Sequence, residues 1–195
     1  MEEFEITGSA MGKIVRLDNS TTITDKQFDT MKDLGGRVKA LTKPQEKMLD
    51  DYLAKFLAEP QLSEGAKTYV KTKFYQQKFD FQKSFTNKYT QKGNEKENES
   101  IKDVVNYLGL PMVFKNETRY YNDYSSGVMD TVFKALNFQM DMKNVYYPDG
   151  LDVFDGKLDH DYEWQQHNYN WLLGVDNGLV VKRCSTLRRC QLKIV

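Results

Sequence analysis

Residues 126–143 read SGVMDTVFKALNFQMDMK, and the architecture can be worked outward from this segment. Apolar and polar side chains alternate over residues 138–143, a pattern typical of a β-strand whose successive residues point to opposite faces. Gln139, Asp141 and Lys143 therefore share one face. Upstream, Asp130 lies inside the apolar segment 128–133, which also predicts a strand. The two aspartates are eleven positions apart, which is enough for a turn and an adjacent strand.

The Asp141 and Lys143 side chains stand side by side on this strand and could offer one metal-ligand oxygen and one ammonium group to a small site. An isolated pair of this kind is more often an exposed ion pair that contributes less than about 1 kcal/mol. Asp130 is a stronger signal, because an acid among apolar residues needs a partner.

Four helices are predicted from apolar spacing and end signals. The first follows Pro44 and the second begins at Ser63, while the fourth covers residues 161–173 and is stopped by Gly174. The third follows Gly93 and ends at Leu108. Its buried stripe consists of Ile101, Val104, Val105 and Leu108.

Two polar residues lie on the apolar stripes of these helices. Glu97 precedes Ile101 by one turn, so its carboxylate is directed to the core side and needs a hydrogen bond, a proton or a cation, unless it simply reaches solvent at the first turn. Gln165 shares a stripe with Tyr162, Tyr169 and Leu172 on the fourth helix, where a satisfied structural amide is the ordinary interpretation.

Further strands are predicted around residues 112–114, 119–121, 127–133, 138–147 and 179–181. The order of helix, several strands, helix and strand indicates an α/β (α+β) fold with a mixed central sheet flanked by helices. Residues 1–60 are predicted to form an N-terminal helical section, and residues 184–195 do not resemble the strand and helix expected at the end of such a fold.

Charge and cysteine content set the class of protein and its partners. The chain of 195 residues carries 28 basic and 28 acidic residues, with lysines concentrated between residues 67 and 96 and acids between 152 and 163. Such segregation fits one surface that meets phosphates, although ordinary solvated helix faces explain it as well. Two cysteines provide no disulfide framework, and no apolar run approaches the ~18 residues of a membrane span. We therefore expect a protein of the reducing cytoplasm that does not contact the membrane.

Four short motifs in this order resemble the PD-(D/E)xK nuclease superfamily, and within it the phage lambda exonuclease and YqaJ-type viral recombinase group. The resemblance covers residues 63–174, somewhat over half of the chain. Residues 93–99 resemble the family's G-x-x-x-E helix start, and residues 126–130 its S-G-x-P-D strand, with Met129 in place of proline. Residues 140–143 resemble the (D/E)-x-K strand, and residues 162–169 the glutamine-containing helix.

The resemblance implies a restriction-endonuclease-like core and a catalytic set composed of Asp130, Asp141, Lys143, Glu97 and Gln165. Carboxylates of Asp130, Asp141 and Glu97 would bind Mg²⁺ or Mn²⁺, for which oxygen ligands are suitable. Lys143 would orient the attacking water or stabilise the charge that develops on the phosphate. Gln165 would help to position the attacking water or Lys143. A track for duplex DNA is predicted along lysines of the basic segment, namely Lys67, Lys71, Lys78 and Lys88.

By the same resemblance the protein would be a phage 5′-3′ double-strand exonuclease of the bacterial host cytoplasm. It would act on double-stranded DNA ends, leave 3′ single strands for a single-strand annealing protein, and could close into a homotrimer. The domain plan is then one nuclease-like domain over residues 1–195, with the helical section at 1–60, the nuclease core at 61–182 and an atypical tail at 183–195.

Two other hypotheses stay open at this point. The chain could be a catalytically silent protein of the same fold that binds nucleic acid or a host protein, its acids being remnants. It could also be a structural phage protein with accidental motifs, in which case Glu97, Asp130 and Asp141 would be far apart and solvated. Zinc hydrolase, P-loop and serine or cysteine triad chemistry lack their sequence motifs.

Overall fold

The computed structural model describes residues 5–80, 88–145, 151, 158–184 and 189–194, and for residues 88–95 and 189–194 it describes the backbone alone. The chain divides into two compact units. Unit 1 comprises Met1–Gly12 and Lys83–Val195, and unit 2 comprises Lys13–Gln82. None of the helices in the described ranges is long and apolar enough to cross a lipid bilayer.

Unit 2 is built from helices whose starts are marked by hydroxyl side chains. The short helix α1 (Met11–Ile14) includes the sequence boundary between the two units. Three longer helices follow it, namely α2 (Asp25–Gly35), α3 (Lys43–Leu57) and α4 (Glu64–Phe79). Thr24, Thr42 and Ser63 are the N-caps of the last three, as expected for residues whose short oxygen-bearing side chains satisfy free backbone N–H groups. The helices after Pro44 and Ser63 are confirmed, whereas α2 was not predicted.

Unit 1 contains two small sheets and two long helices. Its elements are β1 (Ile6–Thr7), α5 (Lys88–Tyr107), β2 (Tyr120–Tyr121), β3 (Ser125–Gly127), β4 (Thr131–Phe133), β5 (Phe138–Val145), α6 (His160–Leu173), β6 (Asn177–Cys184) and β7 (Arg189–Ile194). One sheet has the order β1-β3-β2 and the other β4-β5-β6-β7. β5 pairs antiparallel with β4 and parallel with β6, and β6 pairs antiparallel with β7, so the larger sheet is mixed.

The larger sheet is covered by one helix on each face. Met140 and Met142 of β5 join Val181 of β6 and the buried stripe of α5 in one apolar core. The opposite face of β5 meets α6, where the Gln139 Nε2 donates to Gln166 Oε1 at 2.5 Å. The predicted arrangement of a mixed sheet flanked by helices, and the predicted division of the two faces of β5, are therefore confirmed.

Several element boundaries differ from the predictions. α5 begins at Lys88, so Gly93 lies inside the helix; an interior glycine costs only about 1 kcal/mol and does not end a helix that packs well. The predicted strand 127–133 is two strands in different sheets, separated by residues 128–130. Residues 112–114 form no strand and pair with none of the strands that the structure describes. The predicted strand at 179–181 extends over the whole of β6.

One further expectation was wrong. The tail was not expected to contain a strand, yet β7 pairs with β6 over six residue pairs.

Three aromatic residues of α4 are exposed. Phe74 and Phe79 are 54% and 66% exposed, and Tyr75 is exposed as well. The Tyr75 ring stacks on that of Phe79 with 6.0 Å between the centroids, and it meets that of Phe74 edge-on at 5.9 Å. Tyr75 therefore contacts both phenylalanines on the surface of α4.

Candidate active site

The hairpin of β4 and β5 brings Asp130 to Asp141. The two strands pair with Thr131 opposite Met140, so the residue before β4 lies beside the residue after Met140. Asp130 Oδ2 accepts a hydrogen bond from the backbone N–H of Met142 at 2.5 Å, which holds its carboxyl group against β5. The expectation that a turn and an adjacent strand separate the two aspartates is confirmed, although Asp130 lies just before β4 rather than inside it.

Asp141 and Lys143 form a buried ion pair on the face of β5 that α6 covers. Lys143 Nζ lies 2.5 Å from Asp141 Oδ2, and the two side chains are only 22% and 4% exposed. The Lys143 ammonium also lies 5.0 Å from the ring centroid of Tyr162 on α6. An aspartate and a lysine two residues apart on a strand usually form an exposed surface ion pair. In this chain the pair is instead largely removed from solvent.

Helix α5 contributes a third carboxyl group. Glu97 is one turn before the buried Ile101, its side chain is 13% exposed, and its carboxyl group is close enough to that of Asp130 to raise the pKa of Asp130. The Nζ of Lys115 donates to Glu97 Oε2 from the irregular segment that follows α5. The three acids thus come from three elements that meet at one place, contrary to the hypothesis of a structural protein with scattered, solvated acids.

The surroundings of the Asp130 carboxyl group strongly favour its protonated, neutral form. Burial, the charge of Asp141 and the interaction with Glu97 together raise the pKa of Asp130 to about 8. Burial lowers the pKa of Lys143, but the charge of Asp141, its close contact with Lys143 and the charge of Asp130 together outweigh this, so that the pKa of Lys143 is raised overall. A buried carboxyl group with so high a pKa is characteristic of a functional site.

Gln165 is buried on α6 and belongs to the same site through Tyr169. Its Nε2 donates to the Tyr169 hydroxyl at 2.7 Å. Burial and the charge of Asp141 raise the pKa of Tyr169 to about 12, so the phenol stays protonated and lies within the field of the acids. Tyr169 was predicted to share the stripe of Gln165 but was given no role; its position one turn after Gln165 was the available signal.

Two glycines allow the Tyr169 ring to approach the smaller sheet. A Cβ atom on Gly127 of β3 would lie 2.6 Å from Tyr169 Cε1, and one on Gly8 would lie 2.4 Å from the same atom. Both distances are shorter than any van der Waals contact, so neither position has room for a side chain. Gly127 is part of the segment that resembles the family motif, and here its physical role is to admit the ring.

The donor set suits a hard divalent cation. Three carboxyl groups offer oxygen ligands of the type that Mg²⁺ and Mn²⁺ prefer. Asp141 Oδ2 is buried, and its short contact with Lys143 lacks hydrogen-bond geometry, so it accepts no hydrogen bond from the described residues. Within those residues no three acidic, histidine or cysteine side chains are already spaced to hold one ion. The acids therefore fit a metal ion in chemistry and vicinity, but they would have to shift when it binds.

The predicted DNA-binding lysines lie apart from this site in the chain. Lys67, Lys71 and Lys78 belong to α4 in unit 2, where Lys67 Nζ pairs with Glu64 Oε1 at 2.8 Å and the other two are exposed. The side chain of Lys88 lies outside the described residues. Lys115 was not predicted as a site residue, because it is in a segment without periodicity, 18 residues beyond Glu97.

The chain is similar in structure to known proteins, but its sequence matches no family model and no curated protein. The chain is similar to a phage-related exonuclease from Haemophilus somnus 129PT, with a TM-score of 0.71 and 18% identity over 99% of this chain and 84% of the other. An alkaline exonuclease from Laribacter hongkongensis has a TM-score of 0.63 and 12% identity, covering 98% of this chain and 76% of the other.

A structure of the Laribacter hongkongensis protein in complex with dAMP is also similar, with a TM-score of 0.57 and 12% identity over 68% of this chain and 70% of the other. These likenesses confirm the predicted fold. The chain has the mixed α/β, restriction-endonuclease-like architecture of phage-related and alkaline exonucleases, as its resemblance to the lambda exonuclease and YqaJ-type group implied.

Proposed function

We propose that this protein is a metal-dependent deoxyribonuclease that hydrolyses phosphodiester bonds in DNA. The observation that carries the proposal is the convergence of Asp130, Asp141 and Glu97 with the buried Lys143 ammonium at one place in the fold. Such a cluster costs folding free energy, since buried like charges repel and lose hydration. A functional role accounts for this cost, and the fold shared with named exonucleases supports a nuclease role.

In this mechanism the three carboxylates would hold Mg²⁺ or Mn²⁺. When bound, the ion would lower the pKa of a water molecule and neutralise charge on the phosphate. Lys143, fixed between Asp141 and the Tyr162 ring, presents its ammonium beside the carboxylates, where it can orient the attacking water and stabilise charge that develops on the phosphate. Gln165, whose side-chain amide is held by the Tyr169 hydroxyl one turn further along α6, would help to position the attacking water or Lys143.

We further propose the finer activity that the resemblance implies. The substrate would be a double-stranded DNA end, digested in the 5′-3′ direction to leave 3′ single strands for a single-strand annealing protein of a phage recombination system in the bacterial cytoplasm. Lys67, Lys71, Lys78 and Lys88 would follow the phosphates of the duplex, and a homotrimer would enclose it. The names of the structural neighbours, phage-related exonuclease and alkaline exonuclease, support this choice over an endonuclease.

The decisive assay compares linear with closed-circular duplex DNA, in Mg²⁺ and in chelator. We expect loss of the linear DNA only, in Mg²⁺ only, and duplexes labelled at one 5′ or one 3′ end report the polarity. Lys143→Ala should lose at least about a hundredfold in rate, as for other groups that stabilise a transition state. Lys134→Ala, at an exposed position in the turn between β4 and β5, is the matched control and should cut normally. If Lys143→Ala cuts as fast as wild type, the role given to Lys143 is wrong.

One observation favours a second function, a catalytically silent protein that binds nucleic acid or a host protein. In the described residues, Glu97 and Asp141 are each engaged by a lysine, and no ready-made group of metal ligands is present. A silent protein would retain DNA on a filter or in a gel shift without cutting it in either Mg²⁺ or Mn²⁺. Cleavage that chelator abolishes excludes this function.

A further inference from the structure

Lys115 forms an ion pair with the carboxylate of Glu97. Its Nζ donates to Glu97 Oε2, and the two side chains are 34% and 13% exposed, so the pair lies at the edge of the acid cluster with its lysine end toward solvent. A largely desolvated carboxylate needs a counter-charge, and in the described part of the chain Lys115 is the residue that supplies it to Glu97.

The backbone around Lys115 is fixed to the strand connection that carries Asp130. The N–H of Asn116 donates to the backbone oxygen of Asp130 at 2.7 Å, and its Nδ2 donates to the oxygen of Met129 at 2.9 Å. The position of the Lys115 ammonium is therefore set by the same residues that place the Asp130 carboxyl group. A loosely attached surface lysine would have no such support.

We infer that Lys115 is a positioning residue that holds Glu97 in a metal-free arrangement and must leave it before the third carboxylate can bind a divalent ion. The inference rests on the proposed function. Lys115 contacts Oε2 of Glu97, and a metal ion that binds this oxygen competes with the ammonium group for it, because two cations on one oxygen repel each other. This competition explains why the three acids meet without already being spaced as ligands of one ion.

Next to Glu97 there is a surface groove that could accept the Lys115 side chain once it leaves the carboxylate. Lys115 lines this groove with Lys102, the 91% exposed Phe114 and Glu117, whose charge already acts on Lys115. In this groove the ammonium would remain next to one carboxylate and could also contact a phosphate of the DNA backbone, which is the usual partner of lysine in nucleic-acid complexes. The exchange would thus couple metal entry to movement of a lysine from the acid cluster toward the substrate.

The test measures Mn²⁺ affinity by calorimetry, without substrate, for wild type, Lys115→Met and Lys115→Arg. Removal of the competing ammonium should tighten Mn²⁺ binding about three- to tenfold in Lys115→Met, and Lys115→Arg should bind as wild type because a guanidinium can occupy the same carboxylate. Lys102→Met, which changes a lysine of the same groove, is the control and should leave the affinity unchanged. In a Glu97→Gln background the substitution of Lys115 should have no effect on affinity.

The outcomes separate this inference from the function on which it depends. If wild type binds Mn²⁺ and Lys115→Met binds it equally or more weakly, Lys115 supports the metal site and the inference is overturned while the proposed function stands. If wild type binds neither Mn²⁺ nor Mg²⁺, the proposed function fails and the inference fails with it. Lys115→Gln, titrated in parallel, shows whether any tightening depends on the apolar methionine side chain rather than on loss of the charge.

Discussion

Replacing Asp130 by asparagine should stabilise the metal-free protein at alkaline pH while abolishing nuclease activity. The pKa of Asp130 is about 8 in the folded chain, against 3.8 for an ordinary aspartate, because the carboxyl group is buried beside Asp141 and Glu97. Folding therefore favours the protonated form. The stability that this proton provides is complete below about pH 4, and it is lost as the pH rises through about 8. An asparagine amide has nearly the same shape and carries no charge at any pH.

The size of the effect follows from linkage. A difference of one in pKa corresponds to about 1.4 kcal/mol, so an isolated group with these two pKa values would lose about 3–4 kcal/mol of unfolding free energy between pH 5 and pH 8. Local rearrangement and water entry relieve part of this cost, and we expect a loss of about 2–3 kcal/mol for wild type in that interval. Asp130→Asn should be more stable than wild type by a similar amount at pH 8 and nearly equal to it at pH 5.

The assay is urea unfolding in the presence of chelator at several pH values, with wild type, Asp130→Asn and the exposed Asp123→Asn as a control. Comparing the variants at each pH isolates the contribution of Asp130 from that of other titrating groups. If the difference between wild type and Asp130→Asn stays constant from pH 5 to pH 8, the pKa of Asp130 is not raised. The electrostatic account of the site would then be refuted. Excess Mg²⁺ should remove the advantage of the variant, since only wild type keeps all three ligands.

Two further substitutions test the packing around the site. Gly127→Ala places a methyl group 2.6 Å from Tyr169 Cε1. The free energy of unfolding, measured by heat or urea, should therefore fall by about 2–3 kcal/mol, and cleavage should slow because α6 is displaced. An unchanged stability would show that the Tyr169 ring can move without cost. Asp103→Ala removes the carboxylate 2.6 Å from the buried Arg183 guanidinium and should cost about 1–2 kcal/mol with little effect on cleavage, whereas Asp103→Asn should cost less.

Local periodicity predicted the part of the site that lies on regular elements. The alternation over residues 138–143 placed Asp141 and Lys143 on one face of β5, and the stripe of α5 placed Glu97 toward the core. Hairpin geometry then brought Asp130 to Asp141, because eleven residues fit a short turn and one strand pair. Burial of the ion pair was not predictable from these residues alone, since it depends on α6 covering that face.

The missed features depend on partners distant in sequence. Lys115 lies in an irregular segment, and its contact with Glu97 is fixed by Asn116 bonding to the strand connection. β1 is two residues long and pairs in parallel with β3, more than a hundred residues away. β7 is polar, and as a strand it depends on pairing with the edge of β6. Such elements are formed by tertiary contacts that override local propensity.

Charge balance connects the stability of the metal-free chain with the proposed chemistry. Among the described residues, the carboxyl groups of Asp130, Asp141 and Glu97 are in contact with the ammonium groups of Lys143 and Lys115, and the Lys182 ammonium lies further off, over the same Tyr162 ring as Lys143. If the three acids and their two lysine partners were all ionised, these five groups would carry one excess negative charge, and the high pKa of Asp130 removes it by keeping a proton. A divalent ion that replaces this proton and the Lys115 ammonium adds two positive charges and removes two. The summed charge of these groups is therefore unchanged, which allows the same fold to tolerate both states.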